Sequence, residues 1–258
     1  MKTLATLTLA LAVVATPALA QEPAWNWKGT IANGKQIEIK GVNGSIRATA
    51  TAGSEVVVTA AKKGRKSDPA SVKVEVVNSA AGVTICAVYP SDGGKQNTCA
   101  PGDAGQNNVR DNDVTVDFTV QVPAGVNFVG NTVNGSVSTD RLGGNAEVAT
   151  VNGEIRVVAA GVVRASTVNG SLDVSMGRAD WTGSVDLSTV NGSIRATFPA
   201  SFNAVVEGST VNGSIESEFP LTISGKFGPR SIKGTIGSGG RSLELSTVNG
   251  SITIAKGS

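Results

Sequence analysis

Histidine is absent from this chain of 258 residues, cysteine occurs twice, and aromatic residues make up only 4% of the sequence. The absence of histidine excludes the usual Ser-His and Cys-His catalytic arrangements, because both need an imidazole as the base. It also removes the commonest partner of cysteine in zinc sites. We therefore predict no metal site, and no motif in the sequence indicates a bound cofactor.

Charge of neither sign is in excess, since 22 Lys and Arg residues stand against 20 Asp and Glu residues. Phosphate binding needs a net basic face. The balance therefore argues against nucleic acid as a partner.

Long apolar runs are missing except at the N-terminus, which has the pattern of a secretory signal peptide. Lys2 precedes the apolar run Leu4–Val14, and Ala18-Leu19-Ala20 fits a cleavage site before Gln21. The run is too short to span a bilayer as a retained helix. We expect residues 1–20 to be removed and the mature chain to be periplasmic or extracellular, without a transmembrane segment.

Glycine, in contrast, is abundant, and many of the 32 glycines belong to one repeated phrase. Thr-Val-Asn-Gly-Ser-Ile, or a close variant, returns through residues 128–254, with an earlier copy at Val42-Asn43-Gly44 and a worn copy at Ile232-Lys233-Gly234. A period near 20 residues is typical of solenoids, in which each repeat buries its apolar face by stacking on its neighbours. The asparagines of the phrase are Asn43, Asn134, Asn152, Asn169, Asn191, Asn212 and Asn249.

Each copy of the phrase joins two stretches that have the alternation of β-strands. Before Thr167, for example, apolar Val163 and Ala165 alternate with polar Arg164 and Ser166, and the pattern restarts after the glycine. Period-two alternation indicates a strand with one buried face. We predict that each repeat is a strand, an Asn-Gly corner and a second strand, and nothing in the repeats indicates a helix.

Two all-β architectures fit this unit. Asn-Gly is the strongest short hairpin signal, so an antiparallel β-meander or barrel is one alternative. The other is a right-handed parallel β-solenoid of about eight rungs whose corners stack on one another. We favour the solenoid, because a hairpin has no use for the same Thr, Val and Ser each time, whereas corners stacked about 4.8 Å apart form ladders of like side chains.

The corner residues favour a structural role. We expect the glycines to supply a positive φ and the asparagines to point inward, as a ladder of amides that satisfy one another. The rival interpretation is an exposed row of Asn and Ser that binds a glycan.

We also predict an outward row of alternating charge on consecutive rungs, where opposite charges pair across strands. Its members are Arg156, Asp173, Arg195 and Glu216.

Residues 55–122 interrupt the period. They contain Cys86 and Cys99, and in an exported chain such a pair most often forms a disulfide. The disulfide would close the loop Ala87–Thr98, within an insertion near residues 86–113. The strands predicted from alternation in this region are 55–60, 71–77, 82–89 and 114–122.

Three motifs together resemble the DUF4097 family of adhesin-like bacterial proteins with β-strand repeats. They are W-x-G-x-I followed by I-E-I-K-G-V-N-G-S-I at Trp27–Ile46, V-T-V-D-F-T-V-Q-V-P-A-G at Val114–Gly125, and the T-V-N-G-S-I repeats. The resemblance covers essentially the whole chain after the signal peptide. It implies a right-handed β-helix-like fold outside the cytoplasmic membrane and brings no established catalytic residues.

We therefore expect residues 21–258 to form a single β-solenoid domain and the protein to be non-enzymatic, an adhesin or envelope scaffold that acts through an extended solenoid face. The expected partner is an envelope protein or a glycan. The alternative is a carbohydrate-binding module or a polysaccharide-degrading β-helix enzyme, since glycoside hydrolysis needs only two carboxylates. The candidate carboxylates are evenly spaced along the repeats, as surface charges are, which favours the non-enzymatic interpretation. They are Asp173, Asp186, Glu207 and Glu216.

Overall fold

The computed structural model describes residues 24–91, 93–223 and 230–257, and the predicted signal peptide lies outside them. Within the described residues the chain forms 21 β-strands and one three-residue 3-10 helix, Pro69–Ser71, so the all-β prediction is confirmed. The strands are β1 (Trp25–Gly29), β2 (Gln36–Lys40), β3 (Ile46–Thr51), β4 (Val56–Lys63), β5 (Lys73–Asn78), β6 (Gly82–Val88), β7 (Thr115–Pro123), β8 (Asn127–Asn131), β9 (Val137–Asp140), β10 (Ala146–Ala149), β11 (Ile155–Ala159), β12 (Val163–Ser166), β13 (Leu172–Met176), β14 (Ser184–Ser188), β15 (Ile194–Phe198), β16 (Ala204–Asn212), β17 (Ile215–Ser217), β18 (Leu221–Ile223), β19 (Ser231–Ile236), β20 (Ser242–Asn249) and β21 (Ile252–Lys256).

The strands form two sheets, and each repeat contributes one strand to each sheet. Sheet A has the order β1-β4-β7-β3-β9-β11-β13-β15-β21-β17, and sheet B has the order β18-β19-β16-β20-β14-β12-β10-β8-β2-β6-β5. Neighbouring repeats pair in parallel, as β10 does with β12 and β11 with β13. The parallel solenoid is therefore confirmed. The antiparallel alternative is wrong for the repeats, and neither sheet closes on itself, since each has two edge strands.

The core lies between the two sheets and is built from the inward positions of each strand. On β11, Ile155, Val157 and Ala159 are at most 3% exposed, and they alternate with outward side chains. The register places Ile155 against Leu172 of the next rung. Full burial of one such aliphatic side chain contributes about 1.5–3 kcal/mol, so apolar stacking between rungs supplies most of the cohesion of the column.

Antiparallel strands close the N-terminal end. β4 pairs antiparallel with β1 and β7, and β5 pairs antiparallel with β6. The half-buried side chains of Trp25 and Trp27, on β1, pack against the core at this end. The first corner repeat, β2–β3, is an internal rung, because it lies between the strand pairs β6–β7 and β8–β9.

At the other end, the last rung in the sequence is not the last rung in space. β20 pairs in parallel with both β14 and β16, and β21 pairs in parallel with both β15 and β17. Residues 242–256 thus fill a slot between two earlier repeats. The pattern of the repeats could not predict this order, because the competing rungs carry the same phrase.

The worn copy at Lys233 is not a corner. It lies within β19, which pairs antiparallel with β16. That interpretation is wrong because alternation gives the inward positions of a strand but not its direction. Seven corners stack, and the strand pair β6–β7 forms the eighth rung.

Candidate functional site

Seven Val-Asn-Gly corners, six of them preceded by threonine and the first by Gly41, lie directly above one another along one edge of the solenoid, where each chain segment leaves sheet B and enters sheet A. The threonines point inward and are buried, and their hydroxyls donate to the glycine carbonyl of the neighbouring rung. Thr150 Oγ1 bonds to the Gly135 oxygen at 2.9 Å, and Thr167 Oγ1 bonds to the Gly153 oxygen at 3.1 Å. Buried hydroxyls need such partners, so the threonine at each corner is satisfied by the rung beside it.

The asparagine side chains form a continuous ladder. Each Nδ2 donates to the Oδ1 of the next asparagine at 2.7–2.9 Å, in the spatial order Asn212, Asn249, Asn191, Asn169, Asn152, Asn134 and Asn43. The expectation that these side chains point inward is wrong, because all are exposed except Asn43, which is half-buried. Threonine occupies the inward position, and the Val and Asn after it both face solvent, because strict alternation stops where the chain turns from sheet B into sheet A.

Glycine is required at the corners mainly because the backbones of neighbouring rungs approach closely, and less because of the φ angle. A Cβ on Gly170 would lie 2.0 Å from the carbonyl oxygen of Gly153, and one on Gly153 would lie 2.1 Å from that of Gly135. Among the corner glycines, only Gly44, at φ 128°, and Gly250, at φ 158°, have the positive φ that was predicted for all of them. The prediction was therefore wrong for most corners, because the sequence does not show how closely two backbones approach.

A row of exposed valines runs beside the asparagines. Sequence reasoning missed it, although alternation contained the signal: where Thr167 points inward, Val168 must point outward. We call the valine and asparagine rows together the corner stripe. The exposed fractions are 38% for Val133, 38% for Val151, 39% for Val168, 39% for Val190, 39% for Val248 and 54% for Val211.

The predicted charge row is only partly assembled. Arg156 lies opposite Asp173, with Nε and Oδ2 3.9 Å apart, and Asp173 lies opposite Arg195. Glu216 does not adjoin Arg195, because Thr253 of the inserted rung stands between them. The row is therefore wrong at its fourth member, and the exposed Arg156–Asp173 pair contributes about 0–1 kcal/mol.

Three carboxylates form a row on the outer face of sheet B. Asp186 lies opposite Glu244, which lies opposite Glu207, and the Nζ of Lys233 is 3.4 Å from Glu207 Oε2. Partial burial, with a smaller contribution from the charge of Glu244, raises the pKa of Asp186 above its usual range. In the described part of the chain, no group of three or more His, Cys, Asp or Glu side chains could hold a metal ion.

The insertion 89–113 replaces the corner of rung β6–β7 and lies at the Asn43 end of the ladder. A disulfide joins Cys86 to Cys99, with the two Cα atoms 5.6 Å apart. Lys40 Nζ donates to the carbonyl oxygens of Ala100, Gly102 and Ala104 at 2.9, 2.6 and 2.7 Å. A lysine of the first rung therefore fixes the loop at three points.

Two further polar groups join the same loop to the core. The Glu38 carboxylate, 1% exposed, accepts from the Thr84 hydroxyl at 2.7 Å and from the Gly102 N–H at 3.1 Å. The Tyr89 hydroxyl donates to the Val114 carbonyl at 2.7 Å, and burial raises the pKa of Tyr89 to about 12. Both groups have partners, so Glu38 and Tyr89 support the end of the ladder.

Stacked corners, two mostly parallel sheets and an exposed amide ladder define a β-solenoid protein with one repetitive polar edge. The Toastrack DUF4097 family model matches residues 32–255, and the chain belongs to that family. No curated protein matches the chain.

Two solved structures show the range of similarity. One is a "putative cell adhesion protein" from Clostridium sporogenes, with 11% identity and a TM-score of 0.46, where the match covers 91% of this chain and 100% of that one. The other is a "putative adhesin" from Bacteroides fragilis, with 12% identity and a TM-score of 0.39, where the match covers 90% of this chain and 97% of that one. No helix of the described residues is long and apolar enough to span a bilayer.

Proposed function

We propose that this protein is a non-enzymatic protein of the bacterial envelope that acts as an adhesin or scaffold through an extended face of its solenoid. The observation that supports this most is the corner stripe, which repeats the same exposed side chains over six consecutive rungs. Repetition along an axis favours an extended partner over a compact one, because each rung can contribute the same small contact.

Export to the periplasm or the cell surface is part of the proposal. It is supported by the predicted signal peptide and by the Cys86–Cys99 disulfide, since disulfides persist in oxidising compartments. We propose that residues 21–258 are the mature, single-domain protein.

Cell fractionation with N-terminal sequencing tests the export. We expect the protein in the periplasm or the medium, beginning at Gln21 and with no free thiol. A variant without residues 2–20 should stay in the cytosol with both cysteines reduced. A full-length protein in the cytosol, still beginning at Met1, would refute the proposal.

The absence of catalysis can be tested separately. The exposed carboxylates Asp186, Glu244 and Glu207 lie in a row on an open sheet face, whereas the two carboxylates of a glycosidase flank the scissile bond from opposite sides. Incubation with a panel of polysaccharides should therefore release neither reducing ends nor unsaturated products. Release that disappears in Asp186→Asn would identify an enzyme instead.

A further inference from the structure

The corner stripe has a shape and chemistry that limit what can cover it. Its six exposed valines lie on consecutive rungs, so at about 4.8 Å per rung the row is about 24 Å long. A strip of that length and about 10 Å width offers about 240 Å², well below the roughly 800 Å² per partner of a stable protein interface. The stripe is therefore too narrow to be the whole interface with a second copy of this chain, and it fits a narrow, linear occupant.

The backbone N–H and carbonyl groups at the corners already form hydrogen bonds with neighbouring rungs. Asn152 N–H donates to the Val133 carbonyl at 2.7 Å, and Gly153 N–H donates to the Asn169 carbonyl at 3.0 Å. The other corners repeat these bonds, so a peptide cannot add to the stripe as an extra strand, which needs free backbone groups. An extended peptide is therefore a poor occupant.

The amides, in contrast, keep capacity for a ligand. An asparagine side chain has two N–H donors and a carbonyl oxygen with two acceptor positions. The ladder uses one donor and one acceptor of each internal amide, as at Asn169, which donates to Asn152 and accepts from Asn191. Because these side chains are exposed, one donor and one acceptor per rung can bind a hydroxyl group.

The stripe also lacks charge. Both of its rows consist of Val and Asn alone, and the nearest corner position beyond them is Ser on most rungs, with Glu154 on one. An anionic polymer would therefore find no positively charged side chain in the stripe. Valine methyl groups beside amides that keep a free donor and acceptor suit a ligand with an apolar C–H face and neutral hydroxyl groups around its edge. A pyranose ring has both.

We propose that the corner stripe binds a linear, uncharged polysaccharide that lies along the stacking axis. The C–H faces of successive sugar rings contact the valines, and their hydroxyls bond to the free donor and acceptor of the asparagine amides. This inference rests on the proposed function and specifies the ligand class of the same face.

Affinity electrophoresis tests it with the full mature protein in native gels that contain hydroxyethylcellulose, glucomannan, mixed-linkage β-glucan or dextran. We expect at least one of these neutral polymers to retard the wild-type protein, with the same apparent dissociation constant at low and high salt. The triple variant Val151→Thr, Val168→Thr and Val190→Thr keeps the β-branched shape but removes apolar surface, and it should bind at least fivefold more weakly.

The matched control carries the same three changes on the sheet faces, Val129→Thr, Val158→Thr and Val205→Thr, and should bind as the wild type does. Val168→Lys provides a second route, because one charged side chain in the middle of the stripe should weaken binding even if the triple variant does not fold.

The proposal is overturned if no neutral polymer retards the wild-type protein, or if the control loses as much affinity as the corner variant. Retardation only by anionic alginate, lost in high salt, would also overturn it and point to the charged faces. None of these outcomes would change the fractionation result, so failure of the ligand assignment is distinguishable from failure of the envelope role.

Discussion

At the scale of single residues, the corners are specified by how closely neighbouring rungs approach. Each corner glycine packs against the glycine of the next rung, each buried threonine bonds to a glycine carbonyl there, and each asparagine bonds to the next asparagine. A change at one corner therefore alters the contacts of its neighbours. This differs from a hairpin tip, where only the local torsion angles matter.

Gly170→Ala tests the close approach. The new Cβ would lie 2.0 Å from the Gly153 carbonyl oxygen, and backbone held in a ladder cannot move away cheaply. We expect the free energy of unfolding to fall by about 3 kcal/mol or more, measured by chemical denaturation. Gly53→Ala is the control, because its nearest neighbour is Thr51 Oγ1 at 3.5 Å. Equal stability of the two variants would show that the corners tolerate a side chain.

The row of carboxylates on sheet B predicts that the effect of replacing Asp186 on the free energy of unfolding depends on pH. Partial burial and Glu244 raise its pKa in the folded state, so ionisation of Asp186 opposes folding as pH rises through the interval between its unfolded and folded pKa values. Asp186→Asn should therefore stabilise the protein at pH 7, by about 0.5 kcal/mol for a relieved like-charge pair, and should give no gain at pH 3.

Thermal unfolding at the two pH values measures this effect. Asp173→Asn serves as the control, since the Asp173 carboxylate faces the Arg156 guanidinium at 3.9 Å and its loss should not stabilise the protein at either pH. A gain for Asp186→Asn that persists at pH 3 would contradict an electrostatic origin.

At the scale of elements, alternation predicted the position of most strands in the sequence but not which strands pair with one another. The inward positions of β11 and β13 follow from the pattern of apolar residues, and the strands β4 to β7 lie within a few residues of their predicted bounds. The order of the last rungs could not be predicted, because Asn212 and Asn249 stand in the same phrase and the repeats give no preference for which of them stacks on the rung of Asn191. In the structure Asn249 stacks there, and β19 pairs antiparallel with β16.

The same limit applies to the candidate site. The sequence predicted a ladder of asparagines but placed it inside, because a row of identical amides is compatible with either face of a corner. Burial of Thr167 and exposure of Val168 follow from alternation, whereas exposure of Asn169 depends on where the chain turns, and that position depends on the contact between rungs.

The anchoring of the insertion by Lys40 gives an element-scale prediction. Its ammonium binds three carbonyls of the loop, and hydrogen bonds to a charged group contribute about 1.5–3 kcal/mol when well shielded. Because these bonds are partly exposed, Lys40→Met should cost about 1 kcal/mol. Hydrogen exchange at residues 100–106 should become faster while the disulfide remains intact.

Lys35→Met is the matched control for this loop. Lys35 Nζ makes one bond, to the Ala80 carbonyl at 2.7 Å, outside the insertion. Unchanged exchange at residues 100–106 in Lys40→Met would mean that the disulfide alone fixes the loop.

At the scale of the whole molecule, each rung depends on its two neighbours, and the inserted rung joins parts of the chain that are far apart in sequence. Leu245→Ala tests this in β20, where Leu245 is 1% exposed and lies between Leu187 and Gly208. We expect a loss of about 2–5 kcal/mol and faster hydrogen exchange in residues 184–188 and 204–212 together.

Leu172→Ala provides the comparison, since Leu172 is also 1% exposed but lies between β11 and β15. It should accelerate exchange in residues 155–159 and 194–198 and leave residues 204–212 protected. If Leu245→Ala leaves residues 204–212 protected as well, the last repeats do not need the inserted rung.

The amide ladder also gives the solenoid an orientation. Every Nδ2 donates towards the Asn43 end, so the side-chain dipoles add along the axis instead of cancelling. The row ends in an amide nitrogen with no further ladder acceptor at Asn43 and in a carbonyl oxygen with no further ladder donor at Asn212. A linear molecule with two different ends would therefore meet two different ends of the ladder. One of its two orientations along this edge should be preferred.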